Sequence, residues 1–200
     1  MKIILASQSP SRKKLLNKLG LKFEILAPNI NEEKFLDVKN PENSCYQVAK
    51  QKALIGKNKY NQDIIIACDQ MVYLDGELFG KAYTEKQAIQ NLIQLQGKTH
   101  ILISALCMLW EKKEFYHISK SYLKMRHLTL RQIKNYVMTD KPLKSAGSYH
   151  IESTGIALFE KVKTDDFYSI QGLPLIQVAN QLLKWNYPLF SKSFLYQNCE

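Results

Sequence analysis

The segment DIIIACDQMVYLDGELFGK, residues 63–81, carries the clearest structural signal in the chain. Its first half is a short apolar run rich in β-branched residues, which predicts a buried strand to about Cys68. An irregular polar break is expected at Asp69 and Gln70, so that Asp69 ends the strand. The Asp75-Gly76 pair that follows is a strong signal for a tight β-hairpin turn.

On both sides of this segment, strand-like and helix-like patterns alternate. Ser9 can cap a helix and Pro10 suits its first position, so the chain opens with a strand, a serine loop and a helix. Strands are predicted over 2–6, 22–26 and 156–162, a long antiparallel hairpin over 99–110 and 114–126, and further helices over 42–56, 84–96, 129–137 and 172–185. This alternation indicates the α/β class.

The composition is that of one folded domain. The chain has 200 residues, of which 46% are hydrophobic and 23% charged. No apolar run approaches the ~20 residues that a membrane span requires, and the first residues lack the long apolar region of a signal peptide. We therefore expect a cytoplasmic protein with no membrane partner. The four cysteines are widely spaced without a CxxC pair, and we interpret them as free thiols.

The charge is strongly positive. Twenty-eight Lys and Arg residues against 18 Asp and Glu residues give a net charge of +10, which makes a polyanionic partner plausible. Both nucleic acid and nucleotide phosphates qualify. Because the lysines are spread along the chain and not gathered in one arm or helix, nucleic acid is the weaker of the two interpretations. A merely solvated basic surface would also explain the charge.

Several side chains could carry chemistry. The SQSPSR segment (7–12) sets hydroxyl groups and Arg12 at a helix N-terminus after a strand, where an anion would bind, although simple helix capping would also explain it. Asp69 is a costly polar choice beside a core unless it has a partner or a role, or caps the next turn. Glu32 could join it as an oxygen ligand for Mg²⁺, and Lys81 could reach a phosphate.

Other catalytic classes lack support in the sequence. The four histidines show no HxxxH or HExxH spacing, and no GxSxG motif is present. What remains is a set of carboxylates, lysines and an anion cradle. Metal-assisted attack of water on a phosphoanhydride requires such a set.

Six segments in order resemble the Maf-type nucleoside triphosphate pyrophosphatases. LASQSPSRKKLL (5–16) is similar to that family's LASxSPRRxxLL, and IIACDQMVYLDGELFGK (65–81) to its central strand, catalytic Asp and LDGxxxGKP segment. The other four are LQGKTHILISALCML, MRHLTLRQIKNYV, AGSYHIESTGIALFEKV and QGLPLIQVANQLL. The resemblance covers residues 2 to about 187 and leaves the tail 188–200 without an assigned role.

This resemblance implies one elongated α/β domain over residues 1–200, with a mixed central sheet flanked by helices and a nucleotide-binding cleft. It implies hydrolysis of a nucleoside triphosphate to the monophosphate plus pyrophosphate, with a divalent cation, Mg²⁺ or Mn²⁺. Asp69 falls on the family's catalytic carboxylate and would activate water, while Glu32 would help Asp69 hold the metal. Phosphate charge would be stabilised by Ser7, Ser9, Arg12, Lys52 and Lys81. A homodimer is also implied.

Substrate choice in the resembled family follows three positions, which here read Ser11, Gln70 and Glu152. Gln70 and Glu152 resemble the subgroup that acts on 7-methyl-GTP, because a carboxylate accepts hydrogen bonds from a guanine edge. DDFYSIQGLPL (165–175) instead resembles the dTTP/UTP subgroup. A rival of another class is a non-catalytic nucleic-acid-binding regulator of cell division, which the net charge, Ser11 and Asn31 would favour over an enzyme.

Overall fold

The computed structural model describes residues 1–190, which form a seven-stranded mixed sheet with helices on both faces. The strands are β1 (Ile3–Ala6), β2 (Phe23–Leu26), β3 (Ile64–Leu74), β4 (Glu77–Phe79), β5 (Thr99–Trp110), β6 (Lys113–Met125) and β7 (Phe159–Lys163). The α-helices are α1 (Pro10–Asn17), α2 (Pro41–Lys59), α3 (Glu85–Leu95), α4 (Leu130–Asp140) and α5 (Leu175–Lys184). The predicted α/β class is confirmed.

The sheet runs in the order β2-β1-β3-β5-β6-β7, and β4 pairs with the far end of β3. β1 is parallel to both β2 and β3, whereas β5, β6 and β7 continue the sheet with antiparallel pairs. The predicted long hairpin is confirmed as β5 and β6. The Asp75-Gly76 turn that joins β3 to β4 is also confirmed, and both of its residues have positive φ, 51° and 89°.

One expectation about β3 is wrong. The strand does not end at Asp69 but continues to Leu74, and Asp69 and Gln70 pair in register with Ala105 and Ser104 of β5. β5 supplies hydrogen-bond partners for the backbone N–H and C=O groups of β3 at these positions, so the strand continues through the two polar residues. Asp69 therefore lies in the middle of the strand and not at its end.

The two faces of the sheet are covered by different helices. α1 and α5 pack on one face against residues such as Leu5 and Ile66, and α2 packs on the other against residues such as Ile65 and Ala67. Because neighbouring side chains along a strand point to opposite faces, Asp69 faces α2 with Ala67, and Gln70 faces the side of α1 and α5. A third core cluster joins α3 and α4 to the far end of the sheet.

Two further boundaries differ from the prediction. The stretch 156–162, predicted as a strand, is divided between a 3₁₀ turn, Thr154–Leu158, and β7. The last helix begins at Leu175 with Pro174 as its N-cap, because the chain before it makes a 3₁₀ turn that ends at Gly172 with φ 113°.

The predicted free thiols are confirmed for Cys45, Cys68 and Cys107, all buried, while Cys199 lies outside the described residues, as do positions 191–200 of the tail. Within residues 1–190, no helix combines the length and apolar character needed to cross a membrane.

Candidate active site

The serine loop between β1 and α1 forms a cradle of donors. Ser9 is the N-cap of α1, and its hydroxyl accepts a hydrogen bond from the Arg12 backbone N–H at 3.4 Å, with Pro10 in the first turn. The Arg12 guanidinium donates from one terminal nitrogen to the Ser7 hydroxyl at 3.3 Å and from Nε to the Gly172 carbonyl at 2.9 Å. The sequence-predicted cradle residues Ser7, Ser9 and Arg12 thus lie together.

A chain of three charged groups lies beside this cradle. Lys52 of α2 reaches Asp69 of β3, with 2.7 Å between Nζ and Oδ1. The same ammonium lies 2.8 Å from Oε1 of Glu32, which begins a 3₁₀ turn before α2. The side chains of Lys52 and Asp69 are only 10% and 9% exposed, whereas that of Glu32 is 40% exposed. One buried cation therefore bridges two acids that are 37 positions apart in the sequence.

Burial and charge act in opposite directions on these groups. Burial raises the pKa of Asp69 above its ordinary value, and the attraction of Lys52 and Arg12 offsets this only in part. Burial alone would lower the pKa of Lys52, but the nearby Asp69 carboxylate raises it, so the lysine stays charged. For Glu32, burial again acts upward, yet Lys52 and the more distant Lys81 and Arg12 lower its pKa. The result is a buried carboxylate of increased basicity among fixed cations.

The two acids have the chemistry of a partial magnesium site. Among residues 1–190, no group of three or more His, Cys, Asp and Glu side chains is arranged to hold a metal ion. Mg²⁺ typically takes one or two carboxylates and completes its shell with substrate phosphates and water. Asp69 and Glu32 supply carboxylates of that kind, but one oxygen of each already pairs with the Lys52 ammonium. A cation would therefore bind through their remaining oxygens, together with phosphate oxygens from a ligand.

A cleft of about 390 Å³ opens next to the cradle, along one side of α1. Two of the three predicted specificity residues line it, and they touch: the Ser11 hydroxyl donates to Oε1 of Glu152 at 2.7 Å. The full lining is Ser11, Lys14, Leu15, Lys18, Ile151, Glu152, Ser153, Ile156, Phe167, Ile170 and Gln171. Several polar groups thus converge on a partly apolar concavity, which is typical of a small-molecule site.

Gln70, the third predicted specificity residue, is not part of that lining. Its side-chain amide donates to the Ser104 hydroxyl at 3.0 Å and to the backbone carbonyls of Ser169 and Ile170 at 2.9 and 3.4 Å. The residue therefore ties β3 to the segment that precedes α5. Any effect of Gln70 on ligand choice would pass through that segment.

Lys81 lies farther out than the other predicted phosphate-binding residues. Its backbone forms an isolated bridge with Ala146, and its side chain is exposed. Its positive charge nevertheless acts on Glu32, which places it on the same side of the site. Sequence reasoning missed the cleft residues Lys14, Lys18 and Phe167. The spacing of Ser11 and Lys14 on α1 and Lys18 at its C-cap was the available signal, since three or four positions bring residues to one helix face.

Fold and site together define an α/β protein with hydroxyl and guanidinium groups gathered at the N-terminus of α1, a buried acid bridged to a lysine and an adjoining cleft. Residues 2–185 match the family described as Maf-like protein. The chain belongs to the Maf-like protein family.

Proteins from several bacteria are similar to most of the chain. A 7-methyl-GTP pyrophosphatase of Bdellovibrio bacteriovorus is 39% identical over 181 residues, which are 90% of this chain and 95% of the relative. A dTTP/UTP pyrophosphatase of Dictyoglomus turgidum is 35% identical over 189 residues, 94% and 97% of the two chains. A 7-methyl-GTP pyrophosphatase of Saccharophagus degradans is 38% identical over 182 residues, 90% and 92%.

Proposed function

We propose that this protein is a nucleoside triphosphate pyrophosphatase, which hydrolyses the bond between the α- and β-phosphates to yield a monophosphate and pyrophosphate. The observation that carries the proposal is the buried Asp69 carboxylate, held by Lys52 beside the Arg12 cradle. Relatives named as pyrophosphatases of 7-methyl-GTP and of dTTP and UTP support the same class over nearly the whole chain.

Phosphate binding falls to the cradle and its neighbours. The N-terminus of α1 presents backbone N–H groups and the positive end of the helix dipole, and the Arg12 guanidinium adds a full charge. Ser7 and Ser9 contribute hydroxyl donors, and Lys81 adds a cation from the exposed side. These groups would offset the negative charge that moves to the leaving pyrophosphate as the phosphoanhydride breaks.

Asp69 would act as the general base. Its carboxylate takes a proton from a water molecule whose oxygen attacks the α-phosphorus, while the bridging oxygen leaves with pyrophosphate. Lys52 fixes the carboxylate through Oδ1, and its burial keeps the carboxylate more basic than an exposed one. Mg²⁺ or Mn²⁺, held by Asp69, Glu32 and the phosphates, would supply further charge neutralisation.

The test is a comparison of two aspartates. Asp69→Asn keeps the size of the side chain but removes the base, and we expect kcat for pyrophosphate release to fall by about 10²- to 10⁴-fold. Asp75→Asn is the matched control, because Asp75 lies in an exposed turn with a positive φ that Asn also tolerates. Undiminished turnover in Asp69→Asn, with Mg²⁺ or Mn²⁺ present, would reject the proposed base.

For the substrate we propose 7-methyl-GTP, with dTTP and UTP as the alternative. Glu152 supports the purine, since its carboxylate lines the cleft and can accept hydrogen bonds from a guanine edge. The 35% identical dTTP/UTP pyrophosphatase supports the pyrimidine. Ranking 7-methyl-GTP, dTTP, UTP and CTP by kcat/KM decides between them, and Glu152→Gln should lower the ratio of 7-methyl-GTP to dTTP. An unchanged ratio in that variant would contradict the role of Glu152.

Two further expectations need separate measurements. Salt-dependent binding of duplex or single-stranded nucleic acid without nucleotide turnover would instead favour the non-catalytic regulator. The homodimer implied by the family resemblance stays a prediction, which light scattering on the purified protein would check.

A further inference from the structure

One wall of the cleft carries an exposed aromatic ring that the proposed chemistry does not use. Phe167 lines the cleft with 60% of its surface exposed. Its ring meets Tyr168 edge-on, with centroids 5.7 Å apart and planes at 72°. Tyr168 in turn lies under the ammonium of Lys18, which is 5.7 Å from the ring centroid. Because this ring is exposed on the wall of a partly apolar cleft, it offers a flat face on which a planar ligand can stack.

The backbone on both sides of Phe167 is fixed by a buried carboxylate. Asp166 is 4% exposed, and its two oxygens accept hydrogen bonds from the backbone N–H groups of Tyr168 at 2.9 Å and Ile176 at 3.1 Å. The Ser169 hydroxyl donates to the Asp166 carbonyl at 2.7 Å. Phe167 is therefore presented by a rigid turn and not by a free loop, which lowers the cost of ordering it around a ligand.

The same turn is tied to the reacting end of the site. Gln70, directly after Asp69 on β3, donates to the Ser169 carbonyl at 2.9 Å, and Arg12 of the cradle donates to the Gly172 carbonyl at 2.9 Å. The position of the Phe167 ring is consequently set relative to both the proposed base and the phosphate cradle. A ligand with phosphates at Arg12 and a flat ring in the cleft would bridge the two.

We propose that Phe167 is the stacking wall for the nucleobase, an inference that rests on the proposed function for the class of ligand. The cleft also holds Glu152, Lys14 and Lys18, so its formal charge is +1 and charge alone does not attract a cationic base such as 7-methylguanine. Stacking on Phe167 supplies attraction that tolerates any base but grows with ring area, which favours a purine. Glu152 then accepts hydrogen bonds from the edge of the base, while Phe167 stacks on its face.

The experiment measures binding rather than turnover. Calorimetry with the α,β-methylene analogues of 7-methyl-GTP and UTP, and with inorganic tripolyphosphate as a probe without a base, separates base from phosphate contacts. Phe167→Ala should raise the Kd of the purine analogue about tenfold, that of the pyrimidine analogue less, and that of tripolyphosphate less than about twofold. Phe167→Tyr, which keeps the ring, should bind the purine analogue within about twofold of the unaltered protein.

Two controls make the result specific. Phe190→Ala removes another phenylalanine, 76% exposed and outside the cleft lining, and should change none of the three Kd values. Phe167→Leu keeps apolar bulk without the ring and should weaken the purine analogue. The proposal would be overturned if Phe167→Leu bound the purine analogue as tightly as the unaltered protein, or if Phe167→Ala weakened tripolyphosphate as much as the purine analogue. It would also be overturned if the unaltered protein bound neither analogue. If Phe167→Ala weakens the purine analogue but not tripolyphosphate, and the unaltered protein shows no turnover, then the stacking role of Phe167 stands and the proposed function is rejected.

Discussion

Among single changes in the site, removal of the Lys52 ammonium should lower the free energy of unfolding most. At 2.7 Å from Oδ1 of Asp69, an ion pair is worth about 6 kcal/mol at an effective dielectric constant of 20, before the cost of desolvation. Both side chains are about nine-tenths buried, so the acid left behind cannot recover its lost hydration. We expect Lys52→Met to lower the free energy of unfolding by about 4 kcal/mol at pH 7.

Lys50→Met is the matched control, two residues earlier on the same helix. Lys50 pairs with Glu114 at 2.9 Å, but the two side chains are 31% and 36% exposed, so the loss should stay below about 1 kcal/mol. Urea unfolding at pH 7 and pH 5 measures both. The Lys52→Met deficit should shrink at pH 5, because burial without the ammonium raises the Asp69 pKa further and protonation removes the unpaired charge. Equal deficits for the two variants, or a Lys52→Met deficit independent of pH, would refute this reasoning.

Three further changes test the fold by denaturant unfolding. Burial lowers the pKa of His100 to about 4, so the unfolded chain binds the proton more tightly than the folded one. The free energy of unfolding should therefore fall by roughly 3 kcal/mol as the pH drops from 6.5 to 4. His100→Gln should make this dependence of stability on pH less steep. Gly56→Ala should destabilise by about 1–2 kcal/mol despite the helix preference of alanine, because the new Cβ would lie 2.7 Å from Cγ2 of Ile65; a rise in midpoint would contradict this close approach. Lys141→Gly should add about 0.5 kcal/mol, since Lys141 ends α4 with φ 45°, and a lower midpoint would count against that cap.

Local patterns predicted most of the architecture. Turn and cap residues such as Asp75-Gly76 and Ser9 act within a few positions, so their structural effect can be read from the sequence alone. The continuation of β3 through Asp69 could not, because it depends on pairing with Ala105, 36 positions later. A polar residue in an apolar run predicts a break only when no neighbouring strand is known to accept it.

The site was predictable in part for the same reason. A polar residue in an apolar run predicts a role for Asp69, the serine loop predicts one for Arg12, and the family resemblance implies one for Lys52. The cleft beside them is assembled from α1, the segment around Glu152 and the turn at Phe167. These segments are distant in sequence and are joined by tertiary contacts such as the hydrogen bond from Arg12 to the Gly172 carbonyl. No local sequence pattern therefore predicts the cleft.

The shared ammonium of Lys52 makes Glu32 and Asp69 a single unit in any genetic dissection. When either acid is neutralised, Lys52 pairs with the remaining acid alone. Each single replacement therefore also changes the remaining ion pair, and the effects of the two replacements on stability are not additive. Only a full double-mutant cycle assigns each acid its share. Descendants of this sequence that exchange one acid are therefore expected to carry a compensating change at the other or at position 52.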